Sequence, residues 1–374
     1  MENPFVITEK ISSKYFCDRE KESADLVKLI TNGNNVVLLS RRRLGKTALI
    51  NYCYENTLLK KDYITIYIDI LSTTNLQEFI YIFGKEVFDS IRTKGSRMLK
   101  SFMNIVRSLS GKIAIDPFNG LPTLNLQLGD IKEPAFTLKE VFQYLANADK
   151  PCIVAIDEFQ QVTRYSEKNV EALIRSHLLQ INNCRMIFSG SERHLLSDMF
   201  IDGKRPFYHS AAIIELSVIP KEKYIPFIIR MFQEKGKRIP ELMAKKIYDM
   251  FDGITFYVQR VCNGVFSNTA PGSEASDKIL ELTLEEVLVS YDVIYRMRLS
   301  QFTLRQKELL FAIAKEGNVK QITSTEFIQK YSLSSASAVQ TSLKSLTKNE
   351  VVVNEENGYR IEDLFFRMWI NRYF

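Results

Sequence analysis

The segment from Ser40 to Thr47 has the residue types and spacing of a phosphate-binding loop. It reads Ser40-Arg41-Arg42-Arg43-Leu44-Gly45-Lys46-Thr47 and follows the apolar run Val36 to Leu39. Lys46 can reach the β- and γ-phosphates of a nucleotide, Thr47 can place its hydroxyl on Mg²⁺, and backbone amides between Gly45 and Ala48 point at the anion. The first motif position holds Ser40 instead of glycine, which affects the turn more than the chemistry. A basic turn between a strand and a helix is the alternative interpretation.

An acidic pair, Asp157-Glu158, ends a second apolar run that begins at Cys152. At the carboxyl end of a buried strand, Asp157 can hold Mg²⁺ through a water, and Glu158 can orient or deprotonate an attacking water. Two acids that cap the next helix are the alternative. The pair and the phosphate loop together are rarer than either alone, so we favour a site for phosphoryl transfer.

Hydroxyl groups follow a third apolar run, in Ser189-Gly190-Ser191. Either serine can sense a γ-phosphate or hold the water, and a plain Ser-Gly turn is the alternative. Asp69 ends another run, and we expect it to form a cap or a turn. Near the start of the chain, the segment containing Arg19 can close over a base, although a solvated helix start explains its charges equally well.

The composition is that of a globular protein with several domains. The chain has 374 residues, a formal charge of +6 and five cysteines without CxxC spacing, which indicates two or three domains and no zinc site or disulfide framework. No apolar run has the roughly 18 residues of a membrane span, and the first residues are unlike a signal peptide. We therefore expect a cytoplasmic protein that does not bind membranes.

The hydrophobic pattern predicts an α/β domain followed by two smaller domains. Five short apolar runs separated by helical stretches predict a parallel sheet; they are Val36 to Leu39, Ile64 to Ile70, Ile153 to Ile156, Met186 to Phe188 and Ile213 to Leu216. We predict an ATPase domain at 1–219, in which an insertion at 92–136 contains a β-hairpin, a helical lid domain at 220–299 and a winged helix at 300–374. The winged helix is expected from three helices and a hairpin with a polar tip.

Together these features resemble the archaeal-type ATPase family of the STAND class, signal-transduction ATPases with numerous domains, within the AAA-like P-loop fold. The matching residues are Arg19 and Glu22, Arg42 to Thr47, Ile156 to Gln160, Phe188 to Ser191, Pro206-Phe207-Tyr208 and Tyr359 to Ile370. The resemblance implies that Lys46 and Thr47 bind the phosphates and Mg²⁺ of ATP, that Asp157 supports the metal and that Glu158 activates water. It also implies an additional-strand P-loop sheet with the strand order 5-1-4-3-2.

One departure from the family pattern concerns the rate of hydrolysis. Members often carry an arginine shortly after the Pro-Phe-Tyr stretch, aimed at the γ-phosphate, whereas this chain has His209-Ser210-Ala211. Arg205 lies just upstream of that stretch. Because this chain has no arginine in that segment to stabilise the transition state, we expect slow hydrolysis.

The winged helix raises the question of DNA binding. Its third predicted helix directs Lys344 and Lys348 outward, where they can contact phosphates. Residues 300–374 contain ten basic and eight acidic residues, and Glu355 and Glu356 at the hairpin tip would repel DNA. We therefore place a structural or regulatory role slightly ahead of DNA binding.

The sequence thus predicts a slow Mg-dependent ATPase that binds ATP and ADP and works as a nucleotide-driven conformational switch. The alternative is a DNA-binding regulator or a protein-interaction scaffold in which the nucleotide is a sensing or structural ligand without turnover. An oligomer is compatible with either interpretation.

Overall fold

A computed structural model describes residues 2–7, 13–92, 96–110, 112–117, 120–355 and 358–374. The chain divides into two compact units. One comprises Thr8–Pro220, and the other comprises Met1–Ile7 together with Lys221–Phe374. The predicted boundaries at 219 and 299 stay predictions.

The first unit is an α/β unit whose elements alternate along the chain. Its strands are β1 Val36–Ser40, β2 Ile64–Asp69, β3 Ile113–Ile115, β4 Pro122–Leu124, β5 Cys152–Asp157, β6 Cys184–Gly190 and β7 Ala212–Leu216. Its α-helices are α1 Glu20–Thr31, α2 Lys46–Tyr54, α3 Thr57–Asp62, α4 Leu76–Ile91, α5 Ser96–Ile105, α6 Arg107–Ser110, α7 Pro134–Ala146, α8 Val170–Leu178 and α9 Arg193–Ile201. Short 3₁₀ helices span Ser13–Tyr15, Leu128–Asp130 and Phe159–Arg164.

Five of these strands form one parallel sheet in the order β2-β5-β6-β1-β7, with parallel pairing throughout. Numbered by their place along the chain, the strands run 5-1-4-3-2 from one edge to the other. All five predicted runs form strands, and the α/β prediction is confirmed. Each connection between them contains at least one helix, as parallel strands require.

Helices cover both faces of the sheet, which explains why its strands are continuous apolar runs. Val37 and Leu39 face a cluster that contains side chains of α4 and α7. Val36 and Leu38 face the other side and pack against α1 and α2. Parallel strands buried on both faces end at a common edge, and the phosphate loop and the acidic pair lie together at that carboxyl edge.

The predicted insertion at 92–136 contains the expected hairpin. β3 pairs with β4 in antiparallel register, Ile113 opposite Leu124. Each strand has three residues, and a 3₁₀ helix, Leu128–Asp130, follows β4. Positions 93–95, 111 and 118–119 of this prediction lie outside the described residues.

The second unit begins as a helical array and ends as a winged helix. Its elements are α10 Lys221–Gln233, α11 Glu241–Met250, α12 Thr255–Asn268, α13 Asp277–Ser300, α14 Leu304–Glu316, α15 Thr325–Lys330, α16 Ala336–Lys348, β8 Val352–Glu355, β9 Gly358–Ile361 and α17 Leu364–Tyr373. Even α13, with its 24 residues, is too polar to cross a bilayer, and no other helix within the described ranges qualifies.

The wing is a two-stranded hairpin with one additional β-bridge. β8 pairs antiparallel with β9, and Val319 forms a bridge to Tyr359 on the other side of β9. Gly358 has a φ of +109°, and a Cβ there would lie 2.4 Å from the Val319 carbonyl oxygen. Only glycine permits this close approach.

The last helix, α17, was not assigned from the sequence as an element of the fold. It begins after Asp363, whose carboxylate accepts from the Phe365 and Phe366 amides. Its Trp369 is fully buried and donates from Nε1 to Asp292 Oδ1 at 2.8 Å. This helix therefore packs against α13, and it also contacts α14 and β9.

Candidate functional site

The phosphate loop connects β1 directly to α2. Gly45 caps the helix in the left-handed conformation, with a φ of 90°, and Arg43 also has a positive φ of 67°. Ser40 is buried, and its hydroxyl donates to the Arg41 carbonyl at 2.8 Å. Ser40 therefore ties the turn with a hydrogen bond that the usual glycine cannot make.

Lys46 lies in the first turn of α2 and is only 8% exposed. Burial lowers the pKa of its ammonium group, while the carboxylates of Asp157 and Glu158 oppose that shift. Arg42 is close enough to reinforce the lowering. The ammonium is thus partly desolvated beside two acids, a position that favours an additional anion.

Asp157 is the centre of the hydrogen-bond network at this edge. Its Oδ1 accepts from the Ser189 hydroxyl at 2.6 Å and from the Glu158 amide at 3.0 Å. Its Oδ2 accepts from the Tyr67 hydroxyl at 2.7 Å and from the Thr47 hydroxyl at 3.2 Å. The carboxylate is therefore fixed by donors from four segments of the chain.

Tyr67 was not predicted as a site residue. It lies on β2, and its hydroxyl also approaches Thr47 Oγ1 at 3.4 Å. Burial, reinforced by the charge of Asp157, raises the pKa of this hydroxyl far above its ordinary value. The Tyr67 hydroxyl therefore keeps its proton at neutral pH and donates it in the hydrogen bond to Asp157.

Glu158 adopts the left-handed conformation, with a φ of 57° and a ψ of 37°. Its Oε2 accepts from the Gln160 amide nitrogen at 2.5 Å, from the Ser191 backbone amide at 3.1 Å and from the Ser191 hydroxyl at 2.8 Å. Within the described residues, Oε1 accepts no hydrogen bond. The Glu158 carboxylate is thus fixed through Oε2, while Oε1 receives no hydrogen bond from the described residues.

The Ser189-Gly190-Ser191 segment at the end of β6 donates hydrogen bonds to both acids. Ser189 binds Asp157 and Ser191 binds Glu158. Between them, a Cβ on Gly190 would lie 1.9 Å from Gln160 Oε1. A side chain at position 190 would therefore displace Gln160 from its contact with Glu158.

Arg19 supports the loop from the protein side. Its guanidinium pairs with Glu22 at 2.9 Å and donates to the Ser217 carbonyl at 2.7 Å. It also lies 3.5 Å from the Leu44 carbonyl oxygen. Arg19 is buried, so in this structure it braces the phosphate loop against the end of β7.

Other residues of the predicted phosphate site lie in or beside the same loop. Leu44 is buried, whereas Arg41, Arg42, Arg43 and Ala48 are partly exposed. Asp69 accepts from the Leu71 amide at 2.9 Å, which confirms its predicted turn role.

Neither Arg205 nor position 209 supplies an arginine to this edge. Arg205 Nη2 pairs with Glu171 Oε1 at 2.8 Å. Because β7 runs parallel to β1 with Ala212 opposite Val36, His209 lies at the amino edge of the sheet. Five strand residues, about 16 Å, separate that edge from the phosphate loop. An arginine at position 209 would therefore lie too far away to contact the phosphate loop of the same chain.

This strand–loop–helix motif and a strand that ends in two hydrogen-bonded acids meet at one edge of a parallel sheet, and together they define a P-loop ATPase fold. A family model described as an ATPase domain predominantly from Archaea matches residues 16–261, and a model described as a probable winged helix domain matches residues 293–372. The chain belongs to this archaeal-type ATPase family.

Two uncharacterized ATP-binding proteins of Methanocaldococcus jannaschii are similar in sequence. One is 27% identical over 163 residues, 41% of this chain and 45% of the relative. The other is 28% identical over 158 residues, 39% of this chain and 40% of the relative. The matches thus span less than half of these relatives.

Solved structures agree in fold. The Walker-type ATPase of Pyrococcus abyssi has a TM-score of 0.67 at 22% identity, covering 98% of this chain and 99% of its own. The ADP form of the Aeropyrum pernix ORC2 protein has a TM-score of 0.52 at 13% identity, covering 94% of this chain and 92% of its own. At these identities the likeness concerns the fold alone.

Proposed function

We propose that the protein binds Mg·ATP at the phosphate loop and hydrolyses it slowly, with Lys46, Asp157 and Glu158 as the catalytic residues. The observation that carries the proposal is the fixed pair of acids beside the buried Lys46. Asp157 has hydroxyl donors on both oxygens, and Glu158 has one oxygen held and one presented.

The donor set fits the proposed metal and nucleotide. Thr47 and Asp157 offer hydroxyl and carboxylate oxygens, the ligands that Mg²⁺ prefers. Lys46 and the amides at the start of α2 offer donors to phosphate oxygens. Bound Mg²⁺ would supply positive charge to the β- and γ-phosphate oxygens.

Each residue has a separate role in this proposal. Lys46 binds the phosphates, Asp157 holds the metal side of the site, and Ser189 and Tyr67 keep the Asp157 carboxylate in place. Glu158 accepts the proton of the attacking water at Oε1, because Oε2 is already engaged. We expect slow turnover because neither Arg205, which is paired with Glu171, nor position 209 supplies an arginine to this edge of the sheet.

The biological role that we propose is a conformational switch. Nucleotide state would change the arrangement of the ATPase, helical and winged-helix domains, provided that ATP and ADP interact differently with the two arrangements. A cytoplasmic location is part of this proposal.

Nucleotide affinity tests the binding part of the proposal. ATP binding with and without Mg²⁺ is measured for the wild type, for Lys46→Ala and for Lys60→Ala. Lys60 is an exposed lysine of the same unit, paired with Glu55, and it controls for lost charge. We expect Lys46→Ala to weaken binding at least ~30-fold, about 2 kcal/mol, and Lys60→Ala to leave it unchanged. Equal affinities for all three proteins would refute binding at this loop.

A DNA contact through the winged helix is the second candidate function. Lys344 and Lys348 are exposed on α16, opposite the buried Val339, Leu343 and Leu346. Glu355, one of the acids expected to repel DNA, pairs with Arg360 at 3.0 Å. This pairing reduces the repulsion predicted from the sequence, while Glu356 lies outside the described residues.

Salt dependence separates DNA binding from a protein-interaction role. Affinity for duplex DNA should fall steeply between 50 and 200 mM salt, and Lys344→Ala or Lys348→Ala should reduce the slope, whereas the exposed Lys278→Ala should not. A salt-independent signal, or no difference among the variants, would favour a protein partner.

A further inference from the structure

A cavity lies at the amino edge of the sheet, away from the phosphate loop. It has a volume of about 360 Å³ and is lined by Asn35, Arg175, Asn182, Arg185, His209 and Ser210, among others. These residues precede or begin β1, β6 and β7, or end α8. We call it the amino-edge cleft. Its volume falls within the range of about 300–1,000 Å³ that is typical of small-molecule sites.

The charge of the cleft is one-sided. Two guanidinium groups line it, and none of the lining side chains in the described part of the chain is acidic. Neither Arg175 nor Arg185 forms an ion pair with a described residue, and the buried Nε of Arg175 has no hydrogen-bond partner there. Two like charges in one cavity, with an unsatisfied buried donor, favour an anion between them.

The backbone does not use up these donors. The Arg185 Nη1 donates to the Cys184 carbonyl at 2.7 Å. The last carbonyls of α8 already accept from the amides of Leu179, Gln180 and Ile181. The remaining guanidinium donors are therefore available to a ligand rather than to the end of the helix.

Donor number and lining composition together indicate the ligand class. Each guanidinium carries five N–H donors, whereas a carboxylate offers about four acceptor positions. A phosphate group, with more oxygens and a higher charge, matches two arginines better. Leu178, Ile181 and Phe207 also line the cleft, which suits an apolar portion beside the phosphate. We propose that the amino-edge cleft binds the phosphate group of a small organic phosphate.

Binding of phenyl phosphate to the full chain tests this proposal, with benzoate as the carboxylate counterpart. Equilibrium dialysis is performed with and without saturating ADP, so that occupation of the phosphate loop is distinguished from occupation of the cleft. We expect binding that ADP does not displace, and at least tenfold weaker binding of benzoate.

The decisive variant is Arg175→Ala/Arg185→Ala, compared with Arg97→Ala and with Leu179→Glu. Arg97 has a highly exposed side chain outside the cleft, whereas Leu179 lines the cleft and is 67% exposed, so that a carboxylate there should repel the ligand without disturbing the fold. We expect the arginine pair variant and Leu179→Glu each to lose at least tenfold in affinity, and Arg97→Ala to lose none.

ADP affinity serves as the folding control for these variants. Unchanged phenyl phosphate affinity in Leu179→Glu and in the arginine pair variant would overturn the proposal. Displacement of phenyl phosphate by ADP from the wild type would overturn it as well, because it would place the ligand at the phosphate loop. If ADP binds to none of the proteins, the ATPase proposal fails. The phenyl phosphate affinities of the arginine variants still decide whether the amino-edge cleft binds the ligand.

Discussion

Ser191 donates to Glu158 Oε2 twice, from its hydroxyl at 2.8 Å and from its backbone amide at 3.1 Å. Two residues earlier, Ser189 makes the equivalent contact to Asp157 at 2.6 Å. Each of the two serines at the end of β6 thus donates to one of the two acids at the end of β5. We therefore interpret Ser191 as a positioning residue for Glu158, the proposed general base, and Ser189 as a positioning residue for Asp157, the proposed support of Mg²⁺.

Replacing Ser191 should therefore affect turnover rather than binding. Ser191→Ala removes one of the three hydrogen bonds to Oε2, and we expect kcat to fall about tenfold, ~1.4 kcal/mol, with KM for ATP unchanged. Ser191→Thr, which keeps the hydroxyl, should restore most of kcat. Steady-state phosphate release measures both constants. A change confined to KM would show that Ser191 contacts the substrate and does not position Glu158.

Tyr67→Phe should loosen Asp157 without removing it. The variant loses the 2.7 Å donor to Oδ2, and a hydrogen bond to a charged group contributes roughly 1.5–3 kcal/mol. We expect a lower free energy of unfolding and a higher Mg²⁺ concentration for half-maximal ATP binding. Tyr63→Phe, a change of a partly buried tyrosine outside the network, is the control.

The pH dependence of this effect follows from the raised pKa of Tyr67. Because the hydroxyl has a higher pKa in the folded than in the unfolded state, its contribution is fully present below the unfolded value of 10.0 and declines only above it. Denaturant unfolding of wild type and Tyr67→Phe should therefore differ by a constant amount from pH 6 to pH 9. A difference that shrinks within that range would contradict the assignment.

Lys46→Met should separate stability from function. Burial lowers the pKa of Lys46, so the charged form is disfavoured in the folded state. Without nucleotide, we expect the variant to be more stable than the wild type by roughly 1 kcal/mol, while nucleotide binding is lost. The unfolded chain holds the proton up to pH 10.5, so wild-type stability should rise through the window just below that value.

The difference in stability between Lys46→Met and the wild type should accordingly become smaller as the pH rises. Thermal unfolding of the nucleotide-free proteins between pH 7 and pH 10 measures it. A less stable Lys46→Met, or a gap that widens with pH, would mean that the acids hold Lys46 more strongly than burial opposes it.

Gly358→Ala should weaken the winged helix. The new Cβ would overlap the Val319 carbonyl in addition to requiring a positive φ, and we expect a loss of at least ~2 kcal/mol. Gly272→Ala is the matched control, because Gly272 also has a positive φ of +77° but open space around its Cβ position. Its cost should be near ~1 kcal/mol. Equal losses in denaturant unfolding would show that backbone conformation alone explains the requirement at 358.

Sequence reasoning predicted the parts of the candidate site that are contiguous in the chain. The loop from Ser40 to Thr47 and the pair Asp157-Glu158 each have their chemical groups in one short segment, so residue type and order are enough to predict them, and the structure brings the two segments together. The same holds for the five strands, whose apolar runs are set by burial on both faces.

The partners of these residues depend on register, which a single sequence does not reveal. Tyr67 and Ser189 meet Asp157 only because β2 and β6 flank β5. A weak signal for Tyr67 existed, since alternation along β2 places it on the same face as Asp69. Gln160 gave no signal beyond its place in the motif, and the pairing of Arg205 with Glu171 joins segments more than 30 residues apart.

Turnover by Glu158→Gln compared with the wild type is the decisive test of ATP hydrolysis at this site. Phosphate release is measured at saturating Mg·ATP, and binding of the same nucleotide is followed independently. We expect slow phosphate release by the wild type, a fall of about 100-fold or more in the variant, and equal affinity for ATP in both. Binding of ATP by both proteins with no release above background by either would contradict the ATPase and leave a nucleotide sensor.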